Sequence, residues 1–120
     1  MPKSTANLTP FTANIETRIL TFDFGSLWGK NTPLLTISSI TSVTCVLASS
    51  SPVNDPNPTA RVIGSATVGE SPTTKQSSQA VYQQFGNLIQ NAIYIVTCSV
   101  VASDTSEAVL WDYITTDCLN

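Results

Sequence analysis

The chain has 120 residues, 42% of them hydrophobic and 11% charged, with a formal net charge of −3. That is the size of one domain with a real core, and an apolar share of this kind argues against wholesale disorder. The five cations, Lys3, Arg18, Lys30, Arg61 and Lys75, are scattered, so no basic patch exists to neutralise phosphates and nucleic acid is not an expected partner.

Residues 1–14 carry two prolines and few apolar side chains and read as an extended N-terminal arm ahead of a single domain spanning 15–120. The opening Met-Pro-Lys-Ser-Thr-Ala-Asn lacks the apolar segment of a secretory signal. No apolar run reaches the roughly 20 residues needed to span a bilayer, so no membrane is expected as partner. Arg18 to Phe24 alternates, with Leu20, Phe22 and Phe24 on one face and Ile19, Thr21 and Asp23 on the other. That period of two is a half-buried strand. Gly25 to Pro33 reads as a loop holding Trp28. Leu34 to Leu47 is the next strand region, with Val43, Cys45 and Leu47 on one face.

Ala48 to Ala60 contains Pro52, Pro56 and Pro58. Proline denies donors to a sheet ladder, so this stretch is expected to be an exposed loop. Ala60 to Val68 is a short strand in which Gly64 marks a bulge or bend. Gly69 to Gln76 is a polar turn, Ser78 to Phe85 another strand, and Gly86 to Asn91 either a turn or a short turn of helix. Ile93 to Ser99, a polar turn at Ala102 to Glu107, and Ala108 to Ile114 then form a closing β-hairpin. Six or seven short strands separated by turn chemistry predict an all-β fold: an immunoglobulin-like two-sheet antiparallel sandwich.

The residues with chemical potential are few. There is no histidine, which removes the common Ser-His-Asp and Cys-His nucleophile arrangements and any histidine-containing zinc set. No cofactor is implied, and with five glycines no phosphate-cradling loop is present. Glu107, Asp112 and Asp117 read as dispersed surface acids rather than a glycosidase pair. Asn7-Leu8-Thr9 matches a glycosylation sequon without an export signal to use it. Phe22, Phe24, Tyr94 and Trp111 are expected in the core. Phe11, Trp28, Tyr82 and Phe85 lie nearer element ends and are candidate partner contacts.

Cys45 and Cys98 lie 53 residues apart, near the spacing of the inter-sheet disulfide of immunoglobulin domains, but no Trp lies between them and the Tyr precedes Cys98 by four residues rather than two. Alternation puts both on core faces, where they are expected to face each other across the two sheets. Sheets pack about 10 Å apart and a disulfide needs Cα atoms within about 7 Å, so both are expected to be core thiols, unbonded. Cys118 is expected to be exposed.

Three stretches carry a resemblance: Ile19-Leu20-Thr21-Phe22-Asp23-Phe24, Ile40-Thr41-Ser42-Val43-Thr44, and Gly86 followed by Ile93-Tyr94-Ile95-Val96-Thr97-Cys98. Together they are similar to small tailed-phage proteins known as fiber–tail adaptors, over residues 15–114. Phe24 and Cys45 stand where that family's pattern has Trp, and the chain departs from it at the Pro52 to Pro58 loop and the Thr115 to Asn120 tail. The resemblance implies an immunoglobulin-like virion protein without an active site, in several copies at the tail.

The function expected is therefore a non-enzymatic structural protein of a tailed bacteriophage particle. It would contact other virion proteins of the tail, fiber or portal region, and would be made in the host cytoplasm without a signal peptide. A capsid decoration protein shares every one of these features. A carbohydrate- or receptor-binding module, with Trp28, Tyr82 or Phe85 as a stacking platform, is the rival of another class.

Overall fold

The computed structural model describes residues 16–29 and 34–116. Among them six strands form two three-stranded antiparallel sheets. β1 (Thr17–Asp23), β4 (Ala80–Gly86) and β3 (Val62–Gly69) make one sheet in that order. β2 (Ile37–Leu47), β5 (Ile93–Ala102) and β6 (Glu107–Thr115) make the other. This strand order is that of the immunoglobulin sandwich without its first strand. The expected arm over 1–14, Phe11 and Cys118 lie outside the described residues.

β5 is the clearest case of sequence becoming structure. Every second residue, from Tyr94 to Ala102, is buried, and the residues between are half-exposed. β2 is more instructive. Its apolar residues Ile37, Ile40 and Val43 are three apart, a spacing that simple alternation would scatter over both faces. Register shifts between Ile37 and Ser39 and between Ile40 and Ser42 each insert one extra residue. The three side chains thereby stand opposite Ala102, Val100 and Cys98, all inward-facing on β5. A third shift, between Ile63 and Thr67 of β3, occurs at Gly64, whose φ of 71° suits glycine. Gln83, buried on the inner face of β4, donates from Nε2 to the carbonyls of Ile63 and Gly64 at 2.8 and 3.2 Å. A polar side chain is thus tolerated in the core because it satisfies the bulge.

Three expectations need correction. Gly25 to Pro33 is not loop throughout: Gly25–Trp28 forms α1, a single helical turn. On β6 the parity is the reverse of what the aromatics suggest. Leu110, Asp112 and Ile114 are buried, while Trp111 is half-exposed and Tyr113 exposed. Both parities of this strand are apolar enough to be core, and pairing with β5, which sets Leu110 opposite Cys98 and Ile114 opposite Tyr94, decides between them. The Pro-rich loop is not simply exposed: it ends in a 3-10 turn (Pro58–Arg61) and buries Asp55. Of the two readings left open for Gly86 to Asn91, the structure has the turn: Asn87 and Asn91 adopt φ of 58° and 67°, and Leu88 is fully buried.

Candidate functional site

The densest polar cluster sits at the end of the sandwich where β5 begins. Asp55 is 4% exposed, and its carboxylate accepts from four donors. Arg61 donates from Nε to Oδ2 at 2.8 Å and from Nη2 to Oδ1 at 3.1 Å. The Asn57 amide reaches Oδ1 at 2.9 Å, and the Tyr94 hydroxyl reaches Oδ2 at 2.7 Å. Arg61 also donates to the Asn87 carbonyl at 2.7 Å, and the Ile89 amide donates to the Tyr94 hydroxyl at 3.0 Å. One carboxylate therefore ties the β2–β3 connection to the β4–β5 corner. The Arg61 guanidinium, with help from Tyr94 and the Asn57 amide, holds the Asp55 carboxyl at about 2. Burial, followed by the Asp55 hydrogen bond, pushes the Tyr94 hydroxyl up to about 12.

Tyr94 here performs the role of the tyrosine corner of immunoglobulin domains, bonding back to the chain a few residues upstream. Val96, two residues on, then takes the inward place at which those domains carry their second cysteine. In the sequence Arg61 is one of five scattered cations, and nothing sets Asp55 apart within the Pro-rich loop. The six-residue spacing across a 3-10 turn was the available signal, and it is weak.

A second cluster closes the other side. Asp23 stands on the polar face of β1, as alternation predicts, yet it is buried. Ser71, at 2.6 Å, and Thr73 both donate to its carboxylate. Thr74 donates to the Gln79 side-chain carbonyl, and Gln79 Nε2 donates to the carbonyls of Gly29 and Leu35 at 3.1 and 2.8 Å. The 70–79 turn is in this way bonded to both ends of the β1–β2 connection. Gly25 makes it possible, because any Cβ there would run into Ser71 and Thr74.

The candidate contact residues are not brought together. Phe85 is fully buried and belongs to the core, so it is no partner contact. It lies on the inner parity of β4 with Val81 and Gln83. Trp28 is half-buried, packed against the core and 5.4 Å from the Phe24 ring. Tyr82 is half-buried, with its hydroxyl on the Glu70 carbonyl at 2.5 Å.

Cys45 and Cys98 are fully buried free thiols, but they do not face each other across the sheets. Both belong to the β2–β5–β6 sheet, on adjacent strands, with Cys45 opposite Val96 and Cys98 opposite Val43. Such diagonal neighbours are about 7–8 Å apart, beyond disulfide reach. β1, the strand that would carry the other half of an inter-sheet bond, offers Leu20 and Phe22 inward instead. Burial pushes both thiols up to about 12, which suppresses the reactive thiolate.

The remaining acids do not converge. Glu107 is exposed at the hairpin end of β6 and Asp112 is buried on the opposite parity, five residues on. That is about 17 Å along a strand, where a glycosidase pair needs roughly 5–10 Å. Asp117 lies outside the described residues. Among the described residues no group of three His, Cys, Asp or Glu side chains is placed to hold a metal ion. No helix among them is long and apolar enough to cross a membrane. No family model matches the chain, and comparison with curated proteins and with solved structures finds no match either.

Proposed function

We propose that this chain is a non-enzymatic structural protein of a tailed-phage particle: an immunoglobulin-like module, present in several copies, that joins other virion proteins in the tail as an adaptor between tail and fiber. The observation that carries the reading is where the polar groups go. The buried acids Asp23 and Asp55 tie loops to strands, whereas the outward face of the β2–β5–β6 sheet is uncharged up to Glu107 and partly apolar, with Val46 and Tyr113 exposed. A scaffold of this kind offers surface for protein contact rather than a converging set of catalytic groups. The tail location rests on the resemblance of Ile19 to Phe24, Ile40 to Thr44 and Ile93 to Cys98, stretches of β1, β2 and β5, to fiber–tail adaptors. The carbohydrate-binding alternative loses support, since Phe85 is buried and Trp28 packs inward.

The test is antibody labelling of purified particles from the phage that encodes the chain. Label at the tail supports the reading. Label spread over the capsid shell replaces it with a decoration role, and a chain missing from purified particles overturns it.

A further inference from the structure

The outer face of the β2–β5–β6 sheet is uncharged over three consecutive rows. Its rows run straight across three strands: Val46 opposite Ile95 opposite Tyr113, then Thr44 opposite Thr97 opposite Trp111. The next row, Ser42, Ser99 and Val109, is also uncharged, and the first charge on this face is Glu107 at the hairpin end. Val46 and Tyr113 are 48% and 42% exposed. The face is also graded in height. The β2 edge carries Ser42, Thr44 and Val46, all short. The β6 edge carries Trp111 and Tyr113, whose rings meet edge to face at 5.2 Å.

We propose that this face is a self-association surface, on which a second copy of the chain docks with its tall β6 edge over the short β2 edge of the first. A twofold axis running along the strands does this twice. It sets Tyr113 over the partner's Val46 and Trp111 over the partner's Thr44, while Ile95 meets its own counterpart at the centre. The other face-to-face twofold, across the strands, stacks ring on ring along β6 and leaves a gap along β2. The height gradient therefore selects both a second copy as occupant and the axis that relates the two. The net charge of −3 on each copy opposes association, and docking through these uncharged rows lets two copies meet without desolvating an ion.

Area sets the strength. Three strands about 4.8 Å apart and eight residues of about 3.4 Å give about 400 Å² in projection. Side-chain relief raises this to about 600 Å² per copy, below the roughly 800 Å² of a standard stable interface. The dimer is accordingly weak, with a dissociation constant on the order of 0.1–1 mM, and gains effect where many copies are held close together. The proposal concerns the chain in solution and stands whether or not the particle reading holds.

Sedimentation equilibrium of the full chain, up to about 2 mM, tests it. The wild type shows reversible monomer–dimer exchange. Val46→Lys and Tyr113→Glu each weaken it at least tenfold. The double variant Val46→Lys/Tyr113→Glu recovers to within threefold of wild type, because residue 46 faces residue 113 of the partner. Thermal unfolding at low concentration establishes that each variant is folded, and Val46→Ser and Tyr113→Ser replace any that is not, with the same expected loss. Three results overturn the proposal: a wild type that stays monomeric, whether another segment covers the face or nothing does; single variants that associate like wild type; or a double variant as weak as the singles, which rules out this axis.

Discussion

The substitution Asp55→Asn keeps the side chain's shape and removes the charge shared by Arg61, Tyr94 and the Asn57 amide. Its cost has a floor and a ceiling. A carboxyl held at about 2 rather than 3.8 contributes about 2 kcal/mol of folded-state stability. Asparagine also presents an amide donor to neighbours that are themselves donors, and breaking a buried ion pair from one side costs about 3–5 kcal/mol. We expect a loss of about 3 kcal/mol at pH 7, a large part of the roughly 5–15 kcal/mol available to a domain. The thermal midpoint falls by about 10–20 °C. Urea unfolding followed by Trp28 and Trp111 fluorescence measures it. The pH dependence gives the sign. The folded-state value lies below the unfolded one, so the Asp55 contribution is complete above pH 3.8 and is lost as pH falls through about 2. The gap between wild type and variant must therefore narrow between pH 5 and pH 2. A loss below about 1 kcal/mol at pH 7, or a gap indifferent to acid, refutes the view that this carboxylate holds the two corners together.

The thiols and Tyr94 predict alkaline instability: their folded values of about 12 lie above the unfolded 9.0 and 10.0. That stability is complete below pH 9 and lost as pH rises toward 12, which appears as a falling urea midpoint between pH 8 and pH 11. In thiol titration without reductant, Cys45 and Cys98 stay unreactive in the folded chain at pH 8 and react fully in denaturant; a bond mapped between them contradicts the same-sheet placement. Gly25→Ala pushes a methyl group into Ser71 and breaks the Asp23 cluster, costing about 2 kcal/mol or more in urea unfolding. Thr105, a β-branched residue at φ 69° in the β5–β6 turn, is strained, so Thr105→Gly raises stability by about 1 kcal/mol in the same assay.

Alternation alone determined most of the sandwich. β1 and β5 follow directly from a period of two, the glycine-marked bulge in β3 from Gly64, and the all-β class from the run of short strands and turns. These are local signals, because a strand's two faces are set by neighbouring residues on the same chain. Where two parities compete, the sequence is silent: β6 could bury Trp111 or Asp112, and only the ladder with β5 settles it. The three-residue spacing of Ile37, Ile40 and Val43 likewise becomes one face only through bulges that partner strand β5 imposes. The polar clusters lie further still from the sequence. Asp23 meets Ser71 across 48 residues and Asp55 meets Tyr94 across 39, and such pairs leave no periodic trace. The cysteines show the same limit. Their separation along the chain matched an inter-sheet pair, but separation does not say which strand neighbours which; the strand order alone put both thiols in one sheet, out of each other's reach.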